Sequence, residues 1–158
     1  GNAYEEFNSL MYITGGRITS YLAIDSNPVL DLKNKQRLNR IPQAESVCGD
    51  VRLLEHHVQG LWDLAIIRNP QVCGPDYRED VYTWGMATSK LGRYLTDEGA
   101  LIATTLSYPE ISVLHRIVST NNYRNIRVEE NRDSGPTVGI RGDGLTFKLD
   151  KHILTARR

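Results

Sequence analysis

The pattern that most restricts this chain is an alternation. From residue 21 onward, short β-rich apolar runs are separated by stretches of helical length. Strands spaced in that way pair in parallel, with the intervening helices crossing over the faces of the sheet. Tyr21-Leu22-Ala23-Ile24 is the first run. Asp25-Ser26-Asn27 closes it, and Pro28 opens a helix to Asn39, proline being suited to a first helical turn. Glu45-Ser46-Val47-Cys48 follows, then Gly49-Asp50 and a short helix over 51–60 with Leu53, Leu54 and Val58 as its buried positions. Leu61 to Ile67 is the strongest apolar run. It has so little alternation that it reads as a strand covered on both faces in the middle of the sheet.

Between Pro75 and Gly99, the positions Val81, Trp84, Thr88, Leu91 and Leu95 recur at steps of three and four and predict the longest helix, with Gly99 as its stop. Ala100 to Thr105 reads as another buried strand. Ile111, Leu114, Ile117 and Val118 mark the helix after Pro109. Beyond residue 126 the pattern changes: Ile126–Glu130, Leu145–Leu149 and His152–Ala156 are separated by turns, which implies antiparallel pairing at one sheet edge. The expected fold is α/β, a three-layer sandwich around a mostly parallel, doubly wound sheet with antiparallel C-terminal strands.

A chain of 158 residues suits one domain, so 1–158 reads as a single domain whose first 20 residues are atypical. Nineteen Lys+Arg balance nineteen Asp+Glu, which removes the long-range positive field of a nonspecific nucleic-acid binder and favours a small-molecule partner. No apolar window is long enough to span a membrane, and the first residues lack the layout of a signal peptide, so a cytoplasmic location is expected. Cys48 and Cys73 match no zinc spacing and read as free thiols, and no metal site is expected. Arg141-Gly142-Asp143, flanked by glycines, reads as a turn.

In an open parallel sheet, ligands bind outside the carboxyl ends of the strands. The polar clusters there are Asp25-Ser26-Asn27, Cys48-Gly49-Asp50, Arg68-Asn69-Pro70 and Thr105-Leu106-Ser107-Tyr108. A carboxylate at a strand end can accept hydrogen bonds from the vicinal hydroxyls of a ribose, which makes Asp25 a candidate; capping the next helix is its alternative task. Gly49-Asp50 offers close backbone approach and an acceptor for an exocyclic amine, or else a plain strand-to-helix turn. His56, His57 and His115 read as helix-surface residues, His152 lies at the mouth of the last strand, and Trp84 fits the core stripe. Tyr77, at a helix start, is the better candidate for a substrate wall.

Ala23-Ile24-Asp25-Ser26-Asn27-Pro28, Val47-Cys48-Gly49-Asp50, Trp62 to Pro70 and Leu95 to Ile102, taken in that order, resemble the class I S-adenosylmethionine-dependent methyltransferases over residues 20–158, including a final antiparallel strand at His152–Arg157. The resemblance implies S-adenosylmethionine as cofactor and methyl transfer to a small-molecule acceptor. By it, Asp25 and Ser26 hold the ribose, Asp50 and Val51 border the adenine, and Arg68 and Asn69 line the passage to the methyl group. Asn69, Pro70, Tyr77 and Tyr108 face the acceptor; no catalytic residue is assigned.

The family's Gly-rich loop follows its first strand, and the candidate here is Leu10 to Thr14 with Gly15-Gly16. Only four residues separate Gly16 from Tyr21, whereas a parallel crossover takes about a dozen. Three alternatives follow. Met11 to Gly16 belongs to a helix or loop, residues are missing before Tyr21, or the loop is degenerate. The last leaves a catalytically inactive, methyltransferase-like binding or scaffold module as the second functional reading.

Overall fold

The computed structural model describes residues 3–73, 76–132, 137–139, 146–148 and 150–158. It divides into two compact units, Gly1–His57 and Val58–Arg158.

The first unit is a helix followed by a strand–helix–strand crossover. Helix α1 (Ala3–Ile13) packs Phe7 edge-on against Tyr21, ring centroids 5.4 Å apart. Strand β1 (Tyr21–Asp25), helix α2 (Pro28–Leu38) and strand β2 (Ala44–Cys48) form the crossover, and β1 pairs with β2 in parallel from Tyr21↔Ala44 to Asp25↔Cys48. The expected elements are therefore present, with Pro28 in the first turn of α2 as expected. Ala3, Phe7, Tyr21 and Leu38 form the core. Buried Asp31 of α2 accepts a hydrogen bond from Ser46 Oγ at 2.8 Å and pairs with Lys35 at 2.8 Å, so the carboxylate is compensated from both sides.

Of the three alternatives for the start of the chain, the structure has the helix: Met11 to Gly16 belong to α1 and its terminal turn, so Leu10 to Thr14 is not a strand. Gly15 and Gly16 take φ of 61° and 81°, and the Gly16 N–H donates to the Met11 carbonyl at 2.8 Å, which is how a helix ends in the left-handed region. The stretch after Asp50 is a 3-10 helix, Val51–His56, broken at Leu53. A break there turns Leu53 outward at 43% exposure, while Leu54 is buried.

The second unit contains a four-stranded sheet in the order β3-β4-β8-β5: β3 (Trp62–Arg68), β4 (Leu95–Thr105), β8 (His152–Arg157) and β5 (Arg124–Glu130). β3 and β4 are parallel, whereas β8 runs antiparallel to both β4 and β5, as the turn-linked C-terminal pattern predicts. Helices α3 (Tyr77–Tyr94) and α4 (Tyr108–Ser119) supply one wall of the core. Leu101, Ala103, Leu154 and Ala156 of the sheet meet Ile111, Leu114 and Val118 of α4 there. The Tyr123 hydroxyl donates to the Thr88 carbonyl at 3.0 Å, and burial pushes its phenol up to about 12 despite the opposing charge of Arg158. A short antiparallel pair, β6 (Thr137–Gly139) and β7 (Thr146–Lys148), completes the described strands; the Arg141-Gly142-Asp143 turn lies outside the described residues.

β3 was expected mid-sheet but stands at one end of this order, and β4 takes the buried central place. The long helix stops at Tyr94 rather than at Gly99, so Leu95 is a buried strand residue. Gly99 instead serves a strand irregularity. Trp62 pairs with Leu95 but Leu64 with Ala100, so 96–99 bow out opposite Asp63, which accepts from Thr96 Oγ1 at 3.1 Å. A Cβ on Gly99 meets the Thr96 carbonyl oxygen at 2.8 Å and Leu95 Cβ at 2.9 Å.

Gly99→Ala is therefore expected to destabilise the protein by about 1–3 kcal/mol through overpacking against backbone. Gly85→Ala, mid-helix in α3 with no heavy atom within 4 Å of the new methyl, is expected to stabilise by about 0.5–1 kcal/mol. Urea titrations of the two variants check the opposite signs.

Candidate functional site

In the first unit, parallel pairing brings Asp25 and the Gly49-Asp50 turn out at the same end of β1 and β2. The Gly49 N–H donates to the Asp25 carbonyl at 3.1 Å, which extends the ladder to the strand exits. The helix cap is Asn27, whose side chain accepts from the Val29 and Leu30 N–H groups at 3.0 and 3.4 Å. Asp25 does not cap: its Oδ1 accepts the Asn27 N–H at 2.8 Å, which fixes the carboxylate across the mouth of the strand. Ser26 is exposed beside it, and its carbonyl faces the Cys48 thiol at 3.8 Å.

Asp50 caps the 3-10 helix through the Arg52 N–H at 2.8 Å and grips the Arg52 guanidinium with contacts down to 2.6 Å. That pair lies on the surface, where an ion pair contributes about 0–1 kcal/mol and is readily exchanged. Half-buried Val51 follows. A Cβ on Gly49 meets the His57 ring at 2.5 Å, so glycine is required by the imidazole packed on it. Sequence alone places His57 on a helix surface. Its contact with the backbone between the two strand ends was not legible, because it depends on the tight 3-10 turn.

Gly15 and Gly16 do not join this group. They close the carboxyl end of a helix, where carbonyls rather than N–H donors emerge, and they lead into the start of β1, at the opposite end of the strand from Asp25.

In the second unit, Arg68 ends β3 and Asn69 follows it in the left-handed region, φ 47°. Both engage Asp150, a residue that the sequence reading missed. Asp150 pairs with the Arg68 guanidinium, accepts from Asn69 Nδ2 at 3.2 Å and from Thr104 Oγ1 at 2.5 Å, and donates its own N–H to Asn69 Oδ1 at 3.4 Å. Burial alone raises the Asp150 carboxyl, but the hydrogen bonds from Arg68, Thr104 and Asn69 and the Arg68 charge outweigh it and hold the group below the usual carboxylate range. Local sequence carries no sign of this, since the partners are 46–82 residues away.

Pro70 is buried behind Asn69. Tyr77, first in α3, accepts from Arg116 Nη2 at 2.8 Å and so ties α3 to α4. Tyr108, first in α4, is 70% exposed and stands edge-on to the His152 ring, centroids 6.2 Å apart. Partial burial, then the charges of Glu110 and Asp80, push the Cys73 thiol up and away from the thiolate. Cys48 and Cys73 are both free and exposed. Among the described residues no cluster of metal-ligating side chains occurs and no helix is long and apolar enough to cross a membrane.

No protein-family model and no curated protein matches the sequence. Solved structures do. An rRNA methylase from Streptococcus thermophilus is 18% identical, with a TM-score of 0.56 over 88% of this chain and 73% of that one. A SAM-dependent methyltransferase from Archaeoglobus fulgidus is 12% identical, with a TM-score of 0.62 over 100% and 83%. Precorrin-6y C5,15-methyltransferase from Geobacter metallireducens is 15% identical, with a TM-score of 0.57 over 88% and 68%. The fold is that of the class I methyltransferases: α/β, with parallel strands, crossover helices and an antiparallel C-terminal strand.

The depressed Asp150 carboxyl has a pH signature. A group with a folded value below its unfolded value, about 3.9 for Asp, contributes stability that is present above that value and is lost as pH falls through the folded one. Asp150→Asn keeps a side chain that tolerates the left-handed backbone at φ 54° while removing the charge. At pH 7 it is expected to cost about 1.5–3 kcal/mol, the range for hydrogen bonds to a charged group. The variant's loss of stability between pH 5 and pH 2 should be shallower than that of the parent, as measured by urea unfolding across that range.

Proposed function

We propose that this chain is an S-adenosylmethionine-dependent methyltransferase that acts on a small-molecule acceptor. The observation that carries the reading is the shared exit of Asp25 and Gly49-Asp50 from two adjacent parallel strands, within a fold whose solved relatives include methyltransferases.

The residues at that exit suit a nucleoside. The half-buried Asp25 carboxylate is held by the Asn27 N–H across the strand mouth, where it can accept from both hydroxyls of a ribose. Ser26 lies beside it, and the His57 ring packed on Gly49 closes the turn next to it. Asp50 and Val51 border the base, with Asp50 exchanging its surface pair with Arg52 for an exocyclic amine. The bound cofactor supplies an electrophilic methyl group on sulfur. The chain's own contribution is to position it, so no dedicated acid or base is required.

In the second unit, Asn69 and the aromatic residues Tyr77 and Tyr108 are the acceptor-facing groups, with Arg68 anchoring Asn69 through Asp150; the expected role of Pro70 is withdrawn, because its side chain is fully buried. A net charge of zero favours a small acceptor over RNA, and the free thiols Cys48 and Cys73 suit the reducing cytoplasm.

Isothermal titration with S-adenosylhomocysteine tests the reading. The protein is expected to bind, and Asp25→Ala to weaken binding by about 1.5–3 kcal/mol, or roughly tenfold or more, as when a charged hydrogen-bond acceptor is lost. No heat at millimolar ligand leaves the catalytically inactive module. Transfer of label from the methyl donor to total RNA but not to a metabolite extract replaces the small acceptor with a nucleic acid.

A further inference from the structure

β8 runs antiparallel to β4, so its first residue lies beside the last residue of β4: His152 pairs with Thr105, and on its other side with Glu130 of β5. The His152 side chain is thereby carried to the carboxyl end of the parallel strands of the second unit, two residues after Asp150. It is 8% exposed, and its Nε2 is buried with no hydrogen-bond partner. Leaving such an atom unsatisfied costs free energy of the same order as a lost hydrogen bond, a cost that a partner from outside the chain would relieve. The strand neighbour does not supply one: the Thr105 hydroxyl is turned to the Ser107 carbonyl, to which it donates at 3.2 Å. Beside the imidazole, the Tyr108 ring stands edge-on and 70% exposed, an aromatic face open to solvent at the lip of a buried polar atom.

We propose that His152 and Tyr108 form the subsite for the methyl acceptor, with Nε2 hydrogen-bonded to a hydroxyl of a planar, aromatic acceptor whose ring lies against Tyr108. The identity of the ligand as a methyl acceptor rests on the methyltransferase reading; the subsite itself rests on the second unit alone. The polar partner is a hydroxyl because a hydroxyl both donates and accepts, and so pairs with Nε2 in either imidazole tautomer. A single buried nitrogen gives a neutral hydroxyl all that it needs, whereas it leaves the charge of an ammonium uncompensated. The aromatic preference follows from the exposed ring, since stacked or edge-on ring pairs add to the area they bury.

Phenol is the probe, with benzylamine as the charged comparison, titrated into 15N-histidine-labelled full-length protein with and without S-adenosylhomocysteine. Phenol is expected to move the His152 ring resonances and to leave those of His115 in place. His152→Phe, similar in shape and unable to hydrogen-bond, should weaken phenol binding about tenfold, and His152→Gln should recover part of the loss, while both bind S-adenosylhomocysteine as the parent does. A merely structural His152 predicts lowered thermal midpoints with unchanged phenol affinity, which overturns the proposal. So do a His152 resonance that no probe moves, as for a trapped water alone, and a response to benzylamine without one to phenol. If His152→Phe does not fold, the titration of the parent decides. A His152 response to phenol without any binding of S-adenosylhomocysteine supports the subsite and removes the methyltransferase reading, so the two failures are separable.

Discussion

Parallel pairing is the constraint from which the chemistry of this chain follows. Two strands hydrogen-bonded in parallel must leave the sheet at the same end, and the chain must cross back by a helix before the second can begin. β1 and β2 obey this through α2, and β3 and β4 through α3. Whatever polar residues follow the strands are then gathered in pairs: Asp25 with Gly49-Asp50 in one unit, and Arg68-Asn69 with Thr104-Thr105 in the other. β8 adds to the second pair by reversing direction. An antiparallel strand starts where its neighbour ends, so Asp150 and His152 arrive at the exit of β4 although they precede their own strand's core. Residues scattered over more than eighty positions are collected by hydrogen-bond direction alone.

The parts of this arrangement that were legible in the sequence are those set by local pattern. Asn27-Pro28 announces the start of α2, because the cap and the fixed proline φ act within four residues. Ile111, Leu114, Ile117 and Val118 announce α4, since a helix buries one stripe, and all four are buried. Asp25 at a strand end was legible for the same reason. What failed involved competition between local signals. Leu91 and Leu95 continue a helical period, yet Leu95 pairs with Trp62 and begins β4; the tertiary ladder overrides the stripe. Gly99, read as a helix stop, is needed because backbone atoms of Thr96 and the Cβ of Leu95 fill the space of a side chain. α1 was ambiguous because Tyr12 and Ile13, which look like strand residues, are exposed at the frayed end of a helix whose buried members are Ala3 and Phe7.

The site residues divide along the same line. Asp150 has no motif around it and became visible only when the antiparallel register laid it beside Thr104 and Asn69. Its carboxylate meets a guanidinium, a hydroxyl and a side-chain amide, which satisfies a partly buried charge well enough to depress its titration. Such a group contributes specificity as well as energy. A slip of β8 by one residue turns every side chain of the strand to the opposite face, and Asp150 would then have to give up these partners together. Left-handed φ at both Asn69 and Asp150 belongs to the same arrangement, because Asn and Asp occupy that region at lower cost than other residues with a Cβ.

Buried polar atoms without partners give the sharpest contrast in the molecule. Three occur among the described residues: Thr88 Oγ1, Asp80 Oδ2 and His152 Nε2. Thr88 lies inside α3, where a threonine hydroxyl in a suitable rotamer bonds a carbonyl of the preceding turn, so its cost can be relieved without an outside group. Asp80 sits in the first turn of the same helix, where the N-terminal dipole stabilises a carboxylate that makes no direct bond with that oxygen. Neither remedy is open to His152. It is on a strand, its ladder partners use their backbone groups for the sheet, and a rigid ring cannot turn one nitrogen toward a new partner without turning the other nitrogen away. Of the three unsatisfied atoms, it alone requires something that its own secondary structure cannot provide.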